Sequence, residues 1–402
     1  MTGPQEDDDG AQPMSTSGET QWRGRPALRL ANRVVQLSML QHGGHLAELR
    51  FCDESGLPRE NVLWEPPWMV QGQALDSELE RTETAGICGH ALCLDYFGAP
   101  SADEAARGLG IHGEAAAMEW RGAMEEGEDS SCASWRVSLP AAGLDFARRV
   151  TLRRGESVFL IEETVTNRAA REHAFHWVQH VTFGPPFLSA GESDLAVSAV
   201  RGFTDETAYG ERSLVAHGRE FKWPMAPAAG IDGEVDLSHA FTHGGLGILA
   251  GLEMDPQRDM QFLVAFNRRM QVGVGYCFRR RDFPWMSVWE ENRSREEAPW
   301  EGRSQARGME FGTTPLPLGR EETLRRGARY GVPCWRTAPA LGSLTARYAC
   351  FLFAMPEGLE RLSDVVVEED EVAFLDATGE VRVRVQAGDL GRFLRDDAQG
   401  TG

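Results

Sequence analysis

The segment Ala174–Leu188, AFHWVQHVTFGPPFL, carries the densest chemistry in the chain. Its aromatic and β-branched residues predict a strand that stops at Gly184-Pro185-Pro186. Side chains alternate along a strand, so His176, Val178 and His180 face one way and Trp177, Gln179 and Val181 the other. Two imidazoles on one face suit ligand contact; they equally suit two satisfied, half-buried histidines. On a helix the HxxxH spacing would bring both rings to one metal. On a strand the two Cα atoms stand ~13 Å apart, too far for two bonds of ~2 Å to one ion. A strand here therefore predicts no metal.

Two further places could act with that segment. In Gly110-Ile111-His112-Gly113 a histidine sits between glycines, with Trp120 downstream. This pattern fits a loop where backbone approaches a ligand closely, or an ordinary turn histidine. In Gly308-Met309-Glu310-Phe311-Gly312, Glu310 lies between two apolar residues. If Met309 and Phe311 enter a core, Glu310 faces the other side of its sheet, where a carboxylate is commonly just solvated. A carboxylate and an imidazole together could supply both halves of acid–base catalysis near neutral pH.

The elements that must position these groups read as β. From Leu28 onward come many short apolar and β-branched runs: 34–37, 45–51, 134–139, 146–152 and 158–165. Gly, Pro, Asn and Asp punctuate them. The best helix candidate, near Asp103–Arg107, is short and reads as a loop decoration. The run Trp285–Arg307, dense in Trp, Glu and Arg, reads as a long loop with internal ion pairs. Many strands, few helices and 44 glycines predict an all-β protein, a large antiparallel β-sandwich with few short helices. No fixed-period repeat supports a propeller or solenoid.

Three segments are expected. Residues 1–24 are a polar, acidic tail without hydrophobic periodicity and are expected to be disordered. Residues 25–345 form the sandwich. Residues 346–402 supply C-terminal strands, signalled by Val365–Val367, Val372–Leu375 and Val381–Val385, that complete or extend it.

Composition narrows the partners. With 42% hydrophobic and 25% charged residues the chain is ordinary globular material, and at 402 residues it needs no staple to fold. A net charge of −20 repels nucleic-acid phosphates and anionic membranes, which makes a neutral or weakly charged small molecule the easier partner. Lys222 is the only lysine, which disfavours Schiff-base chemistry. The seven cysteines are odd in number and form no CxxC pair, arguing against a disulfide framework or zinc knuckle and for reduced thiols in a cytosol. No signal peptide is evident at the start, and no apolar run reaches ~18 residues, so a cytoplasmic protein without a transmembrane helix is expected.

The order of these landmarks resembles the galactose mutarotase-like superfamily, specifically the aldose 1-epimerases. Gly43-Gly44-His45-Leu46-Ala47-Glu48-Leu49 is similar to the family's opening "GG-x-L-x-x-L" stretch, and Gly110–Gly113 with Trp120 to its "L-H-G…W" segment. Phe175–Phe187 resembles the "N-x-x-x-H-x-Y-F-N-L" strand, with His180 on the motif histidine and His176 where the family has Asn. Gly308-Met309-Glu310 resembles the "C-L-E-T-Q" strand that supplies the family's glutamate. The resemblance spans about residues 28–340. It implies the family's large sandwich and metal-independent, cofactor-free interconversion of sugar anomers, with Glu310 as base and His180 as acid. It implies sugar contacts from His112, His176 and Asp236, the last matching the family's substrate-binding Asp. Trp177 joins Trp64, Trp68, Trp285, Trp289 and Trp300 as a candidate for stacking on a sugar.

The chain also departs from the pattern. The arginine of the family's "G-R…N-R" segment is missing, and Gly89-His90-Ala91 puts His90 in that place. Thr182-Phe183-Gly184 replaces the aromatic-Asn pair after the motif histidine. These changes keep a second expectation open, a sugar-binding protein without turnover. A third is a cupin-like metal enzyme using His112, His176, His180 and Glu310. Neither the sugar nor the oligomeric state is specified.

Overall fold

The computed structural model describes residues 16–70, 86–230 and 232–395. Antiparallel strands build nearly all of it, and the longest described helix, Arg320–Arg326, has seven residues. Two large sheets, one of 14 strands and one of 8, pack face to face, and a third sheet of 3 strands lies outside them. The inward positions of both large sheets make one core. Phe146, Val150, Ile161, Val165, Leu263, Phe278 and Tyr348 come from the smaller sheet, and Leu37, Trp177, Val181, Leu252, Met309 and Phe311 from the larger. Leu144–Arg153 shows why these sequences choose strands, since its residues alternate between buried and partly exposed along its whole length.

The middle of the larger sheet carries four strands in spatial order: His90–Asp95, His173–Phe183, Gln305–Gly312 and Trp285–Asn292. They are buried on both faces, because loops cover the face turned away from the core. This covered outer face is where a site can form.

Several details depart from sequence expectation. Trp285–Asn292, expected inside a long loop, is a strand paired between Leu246–Met254 and Gln305–Gly312. Met286 and Val288 enter the core, while Glu290 on the same side meets Arg307 at full burial. Acidic residues at its end masked the alternation: Glu290 meets its counter-charge, Arg307, on the adjoining strand, and Glu291 meets Arg295 from the loop that follows. Only 293–304 remains as loop. The segment 1–24 was expected as tail; residues 1–15, with the acidic run, lie outside the described residues, whereas Gly18–Trp22 pairs with Arg25–Ala31 and buries Trp22. Helix Ala102–Ala106 is short and closed by a Ser101–Glu104 capping box.

The expected boundary at 345/346 falls inside Ser343–Ala354, a strand between Val272–Arg279 and Val158–Asn167 in the smaller sheet. The strands after it, Leu362–Val367, Glu371–Asp376 and Val381–Gln386, make the third sheet and share no ladder with the other two. Their apolar side packs on the outer face of the smaller sheet, where Phe374 meets Phe353 at 4.3 Å and Phe351 at 5.4 Å between ring centroids. All seven cysteines are free and buried. No helix among the described residues is long and apolar enough to cross a membrane.

Candidate active site

Strand register creates the central pair. His180 stands directly opposite Glu310 on the adjoining antiparallel strand, and Met309 and Phe311 turn into the core so that Glu310 turns out. His180 Nε2 and Glu310 Oε1 lie 3.1 Å apart. Small residues flank the pair, Ala91 opposite His180 and Ser287 opposite Glu310. His180 Nδ1 meets Thr182 Oγ1 at 3.0 Å, on the same face two residues along. Glu310 Oε2 is buried and has no hydrogen-bond partner among the described residues. One carboxylate oxygen thus meets His180, and the other is enclosed within the structure on the strand facing Ser287.

His112 arrives from a loop. It sits in the left-handed region, φ 72°, inside the glycine-flanked turn. Gly113 is required there, since a Cβ would come 1.9 Å from the Leu94 carbonyl oxygen. The Gly98 N–H donates to His112 Nδ1 at 3.0 Å, so the ring carries its proton on Nε2 and is a hydrogen-bond donor on that side. Phe97 stacks on His112 at 5.1 Å, and the His112 and His180 ring centroids stand 5.5 Å apart.

Burial governs the protons. It pushes the Glu310 carboxyl up to about 8 and holds the His180 imidazole down to about 4. Burial also holds His112 well below the ordinary imidazole range. Near pH 7 the His180–Glu310 pair therefore shares a single proton, and His112 is a neutral donor beside it. A buried pair able to take one proton and return another is what general acid–base chemistry needs.

These three side chains line one cavity of about 500 Å³. Its far wall is aromatic. Trp64 stacks on Trp300 at 6.0 Å, Trp289 stands edge-on to both, and Trp289 Nε1 donates to the Tyr209 hydroxyl at 2.5 Å. Arg295, from the loop 293–304, lies over Trp300 at 4.7 Å and lines the same cavity. Sequence reasoning missed Phe97, Tyr209 and Arg295. The density of Trp, Glu and Arg around residue 295 was visible, but nothing in the order of residues showed that the loop folds back over the His180 strand.

The other sequence candidates lie elsewhere. His176 shares the outward face with His180 but is sealed beneath the loop, its Nδ1 accepting from the Phe97 N–H at 3.0 Å. Trp177 and His90 face the core. Trp177 Nε1 donates to Glu163 at 2.9 Å, and His90 Nε2 meets Gln179 at 2.9 Å, inside a buried network joined to Arg148 and Tyr348. Alternation explains Trp177, since residues next to His180 must point to the other sheet. Asp236 accepts from Ser238 and faces His239, away from the cavity. Of the tryptophans, Trp64, Trp289 and Trp300 line the cavity, Trp68 packs behind Trp300, and Trp285 donates to the Pro333 carbonyl. No group of three or more His, Cys, Asp or Glu among the described residues is arranged to hold a metal ion.

No family model matches the chain, and no curated protein matches it in sequence. Solved structures do match in fold. A Klebsiella pneumoniae protein provisionally assigned as an aldose 1-epimerase superposes with a TM-score of 0.57 at 13% identity, over 83% of this chain and 80% of that one. A galactose mutarotase-like protein from Clostridium acetobutylicum gives 0.56 at 11%, over 84% and 98%. A galactose mutarotase related enzyme from Lactobacillus acidophilus gives 0.51 at 13%, over 82% and 98%. The chain has the galactose mutarotase-like β-sandwich fold. At these identities the likeness carries fold and not activity.

Proposed function

We propose that this galactose mutarotase-like sandwich interconverts the anomers of a free aldose in the cavity beside His180 and Glu310. The observation that carries the reading is the His180–Glu310 contact of 3.1 Å at the cavity wall, with the His112 donor beside it.

Opening a cyclic hemiacetal takes a proton from the anomeric hydroxyl and adds one to the ring oxygen. The pair does both without changing its total proton count. When Glu310 takes a proton as His180 gives one, the pair passes from carboxylate–imidazolium to carboxyl–imidazole. Rotation about C1–C2 turns the aldehyde, and reclosure on its other face runs the transfers backward and restores the first form. Burial favours the carboxyl–imidazole form at rest, and the direct contact lets the proton cross between the two groups before sugar reacts. The Nε2–H of His112 holds a sugar oxygen, and the tryptophan wall takes the sugar's apolar C–H face. Each proton-transfer partner contributes about 10²–10⁴ in rate.

Polarimetry on freshly dissolved α-anomers tests this. Purified protein should speed the approach to equilibrium, and Glu310→Gln and His180→Asn should each slow it by at least about 100-fold. Unchanged rates in both variants would refute the assignment.

A second reading, sugar binding without turnover, draws on a specific feature: the arginine place of the resembling family is held by His90, which here faces the core. Calorimetric binding with no acceleration of mutarotation would select it.

A further inference from the structure

Two successive backbone N–H groups end on two buried imidazoles. The Phe97 N–H donates to His176 Nδ1 and the Gly98 N–H to His112 Nδ1, each at 3.0 Å. An Nδ1 that accepts carries no proton, so His112 turns an Nε2–H donor away from Gly98. The contact is doubled, since the His112 backbone N–H donates to the Gly98 carbonyl at 2.9 Å and the Phe97 ring stacks on the imidazole. Whatever holds Phe97 and Gly98 in place therefore sets the proton position and the aim of His112, in the cavity that all three line.

One guanidinium ties down both ends of the loop that carries them. The chain leaves strand His90–Asp95 at Asp95, in the left-handed region at φ 77°, which a residue with a side chain holds only where its contacts over-determine it. It re-enters regular structure at the Ser101–Glu104 capping box. Arg320 pairs with Asp95 through Nη1 and with Glu104 through Nη2, the latter at 2.8 Å. His173 Nε2 meets the same Asp95 oxygen at 2.6 Å. Both carboxylates are buried, so salt screens these pairs little. Beside Arg320, the Gly319 N–H donates to the Phe97 carbonyl at 2.8 Å, and a Cβ on Gly98 would stand 1.9 Å from the Pro317 carbonyl oxygen. The loop is thus pressed between segment 317–320 and His112.

We propose that Arg320 is a positioning residue for the acid–base site: it holds Asp95 and Glu104, fixes loop 96–101 between them, and through Phe97 and Gly98 keeps His112 in its Nε2–H tautomer toward the sugar. This rests on the anomer-interconverting reading for what His112 does, and goes beyond it in naming what holds His112. Arg320 does not line the cavity, so its influence passes through the loop. A rigid fork of N–H donors can serve two carboxylates in one fixed geometry, whereas an ammonium on a flexible stem holds them less firmly.

The test reads ring protonation and turnover separately in the wild type, Arg320→Gln, Arg320→Lys and Glu104→Gln. Long-range proton–nitrogen correlation spectra of the imidazoles, with His112 assigned by the signals lost in His112→Gln, should show the Nε2–H tautomer alone in the wild type and a mixture of tautomers in Arg320→Gln. Mutarotation should fall about 10- to 100-fold in Arg320→Gln and less in Arg320→Lys. Adding Arg320→Gln to His112→Gln should cost about twofold or less, because a residue that acts through His112 then has nothing to act on. Glu104→Gln releases one end of the loop and should shift tautomer and rate in the same direction; it decides the matter if Arg320→Gln does not fold. A single His112 tautomer in the folded variant, or a loss as large without His112 as with it, overturns the proposal. The two ideas fail separately, since the tautomer is read without sugar. A wild type that lacks mutarotation removes the activity and leaves the hold on His112 to be read, whereas mutarotation with an unmoved tautomer removes this inference and keeps the activity.

Discussion

Gly308 and Glu310 stand on one face of the same strand, and a Cβ built at residue 308 would lie 2.3 Å from Glu310 Oε1. The missing side chain is the space that the carboxylate occupies beside His180. Gly308→Ala should therefore push Glu310 from its place without unfolding the sheet. Mutarotation should fall about 100-fold, the scale expected for a misplacement of about 1 Å at a reacting group. The thermal midpoint and circular dichroism should change little. A variant with full activity would show that the position of Oε1 is immaterial.

The shared proton predicts a pH profile. Activity needs one proton on the pair, so it should be level between about 4, where His180 takes a second proton, and about 8, where Glu310 loses the first. Above pH 8 the rate should fall about tenfold per unit. Glu310→Gln should erase that upper limb in whatever activity remains. A profile that breaks near 6.5 instead would assign control to an unburied imidazole.

Stability should depend on pH in two opposite ways. Burial holds the imidazoles of His45, His90, His112, His176 and His180 below their ordinary value of 6.5. Below pH 6.5 the unfolded chain binds more protons at these sites, so they destabilise the fold progressively as pH falls. Glu310 has the reverse sign. Its folded value, about 8, exceeds the ordinary 4.5, so the folded chain keeps a proton that the unfolded chain has lost. Its contribution falls as pH rises from 4.5 to 8 and stands alone among these groups between 6.5 and 8. Urea titrations should show stability rising toward pH 6.5, then a decline on the order of 2 kcal/mol by pH 8 that Glu310→Gln removes. A decline unaltered in Glu310→Gln would place its source elsewhere.

Behind the site, Arg148 and Glu163 form a fully buried ion pair at 2.7 Å, and Trp177 Nε1 and Tyr348 both donate to the same carboxylate. Arg148→Met leaves a buried charge without its partner and should cost about 3–5 kcal/mol in chemical denaturation. Trp177→Phe, which removes one donor and some volume, should cost about 1–3 kcal/mol. Sugar affinity should not change in Trp177→Phe. A selective loss of binding there would mean that Trp177 reaches the ligand after all.

Much of the fold was legible because local rules sufficed. The alternation around His180 and Glu310 put each on the face opposite its immediate neighbours, and turn residues bounded most strands. The strand Trp285–Asn292 escaped because Glu290 hides in the core against Arg307, a pairing between strands that no window of sequence contains. The candidate site was legible only in part. His112, His180 and Glu310 were marked by residue type and order, but so were His90, Trp177 and Asp236, which lie elsewhere. Residue type signals that a group can do chemistry and cannot tell whether its neighbours already satisfy it.

By itself, then, the order of residues determined the β architecture and set His180 and Glu310 each on the face opposite its immediate neighbours, since both follow from the two-residue period of a strand, and it placed His112 in a glycine-flanked loop or turn. Tertiary structure alone decided that His180 and Glu310 are partners at 3.1 Å, because register couples residues 130 positions apart. It alone brought Arg295 and the tryptophan wall over them, because a cavity is closed by loops whose return path depends on what they pack against. It alone decided the proton count, because burial shifts both groups and burial is a property of the assembled fold.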